Sequence, residues 1–247
     1  MKILGIIPAR YASTRFPAKP LVDIAGQTMI ERVYRQVKKS KSITKIIVAT
    51  DHSKIFDHVI SFGGNACMTS ETHASGTDRC FEVLTKENEQ FDYVINIQGD
   101  EPFIAPEQID LLASLLDGIT ELATLSKKIE DSEQLFNANI VKIVSSADGK
   151  ALYFSRSPIP HIRNVDQTEW LSRHNFYKHI GMYAYRADIL KQITTLIISS
   201  LEKAESLEQL RWLENGYSIN VVETEFETIG IDTPEDLEKA IQFLSKK

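Results

Sequence analysis

Cysteine is scarce: the chain of 247 residues carries two, Cys67 and Cys80. They form no C-x-x-C pair and lie near no histidines at metal-finger spacing, so a disulfide framework and a zinc module are excluded and two buried free thiols are expected. No hydrophobic run reaches membrane length, and the apolar stretch Ile3–Pro8 is too short and too soon followed by Arg10 for a signal segment or a spanning helix. Net positive charge is missing as well. With 28 Lys+Arg against 34 Asp+Glu the balance is −6, which gives no electrostatic footprint for coating nucleic acid or an anionic membrane. An anionic ligand must therefore be held by a local basic cluster. Gly and Pro are nowhere gathered into a linker, and there is no internal repeat, Walker loop or G-x-G-x-x-G turn. What is present, 43% hydrophobic and 25% charged residues, is the composition of a soluble folded domain, with the cytoplasm as the expected compartment.

The apolar pattern alternates between strand and helix. Ile3–Pro8, Ile46–Ala49 and Tyr93–Ile97 read as short buried strands; Met29, Ile30, Val33, Tyr34 and Val37 recur at helical spacing, and Ile55–Ile60 is a short amphipathic helix. Such alternation predicts a mostly parallel sheet covered on both faces, with ligands outside the C-terminal ends of its strands. Beyond about residue 120 the alternation weakens. Ile140–Val144, Leu152–Phe154 and Ile180–Tyr185 read as strands of a mixed-sheet insertion, and Leu207–Leu213 as a helix closed by Asn215-Gly216. Thr233-Pro234-Glu235-Asp236 has the cap, N1 proline and early acids of a helix start.

The loop after the first strand, Pro8-Ala9-Arg10-Tyr11-Ala12-Ser13-Thr14-Arg15-Phe16-Pro17-Ala18-Lys19-Pro20-Leu21, concentrates three cations within ten residues. In an acidic protein this is a local anion trap. Arg10, Arg15 and Lys19 are suited to a triphosphate, because guanidinium forks and an ammonium neutralise charge moving onto a leaving pyrophosphate. Further on, Ser75-Gly76-Thr77-Asp78-Arg79 precedes a helix with Phe81, Val83 and Leu84 on its apolar side, so Ser75 or Thr77 is its N-cap. Free N–H groups and a glycine at such a start also suit a nucleotide.

The basic loop resembles the signature of the 3-deoxy-manno-octulosonate (Kdo) cytidylyltransferases. Four more segments resemble that family in order: His73-Ala74-Ser75-Gly76-Thr77-Asp78-Arg79, Asn96-Ile97-Gln98-Gly99-Asp100-Glu101-Pro102, Tyr153-Phe154-Ser155-Arg156-Ser157-Pro158-Ile159-Pro160, and Ile231-Asp232-Thr233-Pro234-Glu235-Asp236-Leu237. The resemblance spans almost the whole chain. It implies a single Rossmann-like α/β nucleotidyltransferase domain over 1–247, with a nucleotide-binding part over about 1–120 and a mixed-sheet part for acceptor sugar and dimer contacts over about 121–225. A C-terminal metal-ligand segment and helix follow over 226–247. The implied reaction moves CMP from CTP to the anomeric hydroxyl of Kdo, for lipopolysaccharide synthesis, in a homodimer.

Phosphoryl-type transfer is mainly positioning and charge neutralisation, which requires Mg²⁺ and carboxylates to hold it. By resemblance Asp100 is the prime metal ligand and Asp232 its partner, while Ala74, Ser75, Gly76 and Asp78 belong to the nucleotide pocket. An acidic sugar needs a cation for its carboxylate, and Arg156 is the candidate. The resemblance adds Gln98, His179, Tyr183, Glu208 and Gln209 to the acceptor site. His52, His58 and His161 have no acid–base or metal spacing and read as structural. The family commonly has Gly at the position of Ala18, a substitution of consequence only if the backbone there needs positive φ. Two rivals remain: a cytidylyltransferase for sialic acid or an amino-Kdo analogue, and a non-catalytic nucleotide-binding regulator.

Overall fold

A computed structural model describes residues 1–12, 16–227, 230–231 and 233–245. Their contacts divide into two compact units, Met1–Ala113 with Thr228–Lys247, and Ser114–Glu227. Arg15 and Asp232, two of the predicted site residues, lie outside the described residues.

In unit 1 the strands are β1 (Ile3–Ala9), a two-residue pair β2 (Asp23–Ile24) and β3 (Gln27–Thr28), β4 (Lys45–Thr50), β5 (Ala66–Met68) and β6 (Tyr93–Asn96). The helices are α1 (Met29–Val37), α2 (Ser53–Ser61), α3 (Gly76–Lys86) and α4 (Pro106–Ala113). β1 pairs in parallel with both β4 and β6, and β4 pairs in parallel with β5. A central parallel strand has no solvent face, which is why β1 is a continuous apolar run. From β1 the chain winds outward through β4 to β5 and then returns to β6 on the other side of β1. This reversal creates the crevice at strand C-termini where α/β sheets bind ligands.

Helix α1 buries the five residues that the spacing selects, Met29, Ile30, Val33, Tyr34 and Val37, and the Thr28 side chain caps it by accepting from Glu31 N–H. Thiol burial is as expected for Cys80, but Cys67 is half-buried, because β5 pairs only with β4 among the described strands. The C-terminal helix, α10 in chain order (Pro234–Ser245), belongs to unit 1. Thr233 and Asp236 exchange hydrogen bonds as a capping box, and Ile24, Met29, Ile231 and Ala240 form the apolar cluster that seats the helix.

Unit 2 contains β7 (Leu122–Lys128), α5 (Ser132–Phe136), β8 (Lys142–Ser145), β9 (Ala151–Ser155), α6 (Trp170–Arg173) and β10 (Tyr177–Arg186). It ends with α7 (Ala187–Ile193), α8 (Ser200–Glu205), α9 (Gln209–Glu214) and β11 (Ile219–Glu223). β7 pairs in parallel with β11 and antiparallel with β10, and β8 lies antiparallel between β10 and β9. The mixed sheet expected for this half is therefore present. The β10–β7 register slips between Ile180 and Tyr183. Residues four apart on a regular strand stand about 13 Å apart, yet this bulge brings the His179 and Tyr183 rings to 5.1 Å.

Candidate active site

The C-terminal ends of β1 and β6 and the N-terminus of α3 enclose a cleft of about 430 Å³ in unit 1. Arg10 and Lys19 line it from the basic loop, Ala74, Ser75 and Gly76 from the helix start, and Gln98, Gly99 and Asp100 from the segment after β6. Three of the five segments, distant in sequence, thus meet around one cleft. A larger cavity of about 830 Å³ lies in unit 2, lined among others by Ser126, Ile143, Phe176, Tyr177 and Glu223. None of the predicted site residues lines it, whereas the smaller cleft gathers several of them.

Lys19 donates its Nζ to Asp100 Oδ2 at 2.8 Å, pairing the loop's last cation with the prime carboxylate. A short 3₁₀ turn, Lys19–Leu21, fixes Lys19, and Pro20 follows as its second residue, where no N–H is needed. Ala18 just before it has φ 55°, so the backbone here does require the left-handed region, at a cost of about 1 kcal/mol for a residue with a Cβ. Gly99 is required for a different reason. A Cβ on it would stand 2.5 Å from the backbone oxygen of Pro8, so only glycine lets β6 bring Asp100 this close to the end of β1. Beside it, burial and then the charge of Asp100 push the Glu101 carboxyl up to about 8, which leaves it neutral at pH 7.

Ser75 is the N-cap of α3. Its Oγ accepts from Asp78 N–H at 3.1 Å, and Asp78 Oδ2 accepts from Ser75 N–H at 3.3 Å. Asp78 is thereby occupied in the capping box and is not among the residues lining the cleft, whereas Ala74, Ser75 and Gly76 are. Sequence reasoning missed Arg79. It is 1% exposed, pairs with Asp51 and lines the cleft.

The acceptor candidates other than Gln98 lie in unit 2. Arg156 donates Nε to the Glu205 carbonyl at 2.7 Å, Nη1 to Ala138 O and Nη2 to Ser206 O, so much of its fork holds backbone. His179 Nε2 hydrogen-bonds Thr124 Oγ1 at 2.9 Å, and Thr124 Oγ1 also donates to the Met182 carbonyl exposed by the bulge. The hydroxyl of Tyr183 is buried without a partner, its ring 5.1 Å from that of Trp212. Gln209 is buried at the start of α9, and Glu208 precedes it, close enough to raise the Tyr183 pKa further after burial. Of the structural histidines, His52 caps α2 and His58 bonds Thr28 Oγ1.

Burial pushes the His179 pKa from 6.5 down to about 3, so the ring is neutral in the fold. The unfolded chain binds that proton below pH 6.5, so the stability gained from the neutral ring is present above 6.5 and lost as pH falls towards 3. The slope reaches about 1.4 kcal/mol per pH unit. Urea unfolding of wild type and His179→Gln between pH 7 and pH 5 measures it: the wild type is expected to lose more stability on acidification than the variant, and parallel losses would contradict a buried neutral ring.

The cytidylyltransferase family model matches residues 4–243. A 3-deoxy-manno-octulosonate cytidylyltransferase from Cytophaga hutchinsonii is 60% identical over 238 residues, 96% of this chain and 95% of that one. The chain belongs to this family. The Parabacteroides distasonis member is 57% identical over the full length of both chains. Among solved structures, a CMP:2-keto-3-deoxy-manno-octonic acid synthetase complexed with CTP superposes with a TM-score of 0.92 at 40% identity, covering 100% of this chain and 99% of that one.

Proposed function

We infer that this member of the family transfers CMP from CTP to the anomeric hydroxyl of Kdo, releasing pyrophosphate. The observation that carries this reading is the Lys19–Asp100 contact at 2.8 Å, inside a cleft that also presents Arg10 and the capped start of α3. The anomeric oxygen attacks the α-phosphorus while the bond to the bridging oxygen of pyrophosphate breaks, and negative charge accumulates on the departing group. Arg10 and Lys19 meet that charge, with Arg15 assigned the same task from sequence. Ala74, Ser75 and Gly76 offer backbone groups to the cytosine, and Asp78 acts by fixing the helix start.

A divalent cation is commonly held by one or two carboxylates plus substrate phosphates, and Asp100, the one carboxylate among the described residues lining the cleft, fits that donor set. Among the described residues no three His, Cys, Asp or Glu side chains cluster as a complete cage. Magnesium, when bound, supplies charge neutralisation at the phosphate oxygens, and Asp100 with Asp232 would hold it. Ile231 N–H donates to the Asp100 carbonyl at 3.0 Å, which ties the residue before Asp232 to Asp100. In unit 2, Arg156, His179, Tyr183, Glu208 and Gln209 are proposed for the acceptor, and Gln98 in unit 1 carries the same proposed role. A homodimer in the cytoplasm completes the reading. None of the described helices is long and apolar enough to cross a membrane.

Asp232→Asn is expected to lower kcat strongly and raise the magnesium requirement with little change in melting temperature. Thr233→Ala removes the α10 cap and is expected to cost about 1 kcal/mol of stability with a smaller effect on turnover. Kinetics at varied Mg²⁺ and thermal unfolding of both variants check the split, and early melting of Asp232→Asn with intact turnover would make it a turn residue. The nucleotide assignment is tested by kcat/KM for CTP, UTP and ATP. CTP is expected to be preferred, because a pocket paired to the cytosine edge leaves polar groups unmatched with other bases; equal values for CTP and ATP would overturn it.

A further inference from the structure

The turn after β4 holds Tyr11 of the basic loop by two of its groups, and a third closes the loop on itself. Asp51 follows β4, and its Oδ1 accepts from the backbone N–H of Tyr11 at 3.2 Å. The Tyr11 ring stacks on His52 with centroids 3.8 Å apart and planes 15° from parallel, with Lys54 Nζ 5.8 Å from the ring centre. The Tyr11 carbonyl accepts from Ala18 N–H at 3.1 Å. Arg10 immediately precedes Tyr11 and Lys19 immediately follows Ala18, so the two cleft cations flank the points that are held.

The other oxygen of Asp51 reaches into the protein. Oδ2 accepts from Arg79 Nη2 at 3.1 Å, with side chains 9% and 1% exposed. Arg79 Nη1 also donates to Thr69 Oγ1, whose hydroxyl donates in turn to the Thr50 carbonyl at 3.1 Å. A single carboxylate therefore joins the helix that starts at the nucleotide pocket to the root of the basic loop. A buried ion pair is poor value as a stabiliser, since an apolar pair of similar volume commonly does as well, whereas it fixes direction and distance.

We propose that Asp51, Arg79, His52 and Tyr11 form a positioning clasp that holds the Arg10 and Lys19 ends of the basic loop in the geometry that receives the β- and γ-phosphates. The proposal rests on the reading of that loop as the triphosphate site. None of the four is assigned to touch the reacting atoms; they act through Arg10 and Lys19. If the held geometry is only fractionally populated, the dissociation constant rises by the inverse of that fraction. The penalty then applies to ligands carrying the outer phosphates and spares those that lack them.

The test is calorimetric titration of CTP and of CMP into wild type, Asp51→Asn, His52→Ala, Tyr11→Ala and Tyr11→Phe. Asp51→Asn keeps an acceptor but leaves the buried Arg79 guanidinium without its countercharge, while the His52 and Tyr11 variants leave the ion pair intact. In Asp51→Asn, His52→Ala and Tyr11→Ala the CTP dissociation constant is expected to rise roughly tenfold while that for CMP stays within about twofold. Tyr11→Phe keeps ring and backbone and is expected to match wild type. Equal losses for CTP and CMP, or unchanged CTP binding in all three weakened variants, would overturn the clasp. Wild type binding CTP no more tightly than CMP would instead overturn the triphosphate reading and the clasp with it.

Discussion

Lys19→Ala is expected to lower kcat by about 10²–10³-fold, the usual loss when one preorganised donor to developing charge is removed. The expectation comes from where the ammonium sits. Its side chain is 14% exposed and its position is fixed by the Asp100 carboxylate at 2.8 Å and by the 3₁₀ turn. A donor already desolvated and oriented contributes more to a transition state than one that must be recruited from solvent. Single-turnover kinetics of pyrophosphate release measure the loss directly. A kcat close to wild type would mean that the basic loop is a solvated surface segment.

Gly99→Ala is expected to damage both stability and turnover. The added Cβ meets the Pro8 backbone oxygen at 2.5 Å, and neither chain segment is the free end of a flexible side chain. Relief requires the end of β6 to move away from the end of β1, an overpacking penalty of about 1–3 kcal/mol. Asp100 moves with it, and a displacement near 1 Å at a catalytic group costs about 10²-fold in rate. Chemical denaturation together with kcat, measured on the folded fraction, separates the two effects. Wild-type turnover in Gly99→Ala would mean that the approach of Asp100 to the loop is not required.

Much of unit 1 is legible in the sequence because each element carries its own local signal. α1 has its apolar face written at helical spacing, β1 is a run that only a central parallel strand can bury, and Thr233-Pro234-Asp236 spells out a cap. β5 and the β2–β3 pair are too short to give a period, and the β10 bulge depends on pairing with β7 rather than on its own residues. At the site, Lys19, Asp100 and Gly76 fall together as the motif order suggests. Arg79 escaped notice because its burial is offset by Asp51, a partner 28 residues away at the end of another strand. His52 escaped for a related reason: its stacking partner Tyr11 arrives from the first loop, and no spacing within either segment reveals the pair.

Transfer of CMP to Kdo can be followed atom by atom. Its most direct measurement incubates the purified protein with CTP, Mg²⁺ and either Kdo, an amino-Kdo analogue or sialic acid, following pyrophosphate and the nucleotide sugar together by ³¹P NMR. Stoichiometric pyrophosphate and CMP-Kdo are expected, with Kdo the preferred acceptor. Pyrophosphate formation with sialic acid but none with Kdo, or no nucleotide sugar with any of the three, would contradict it.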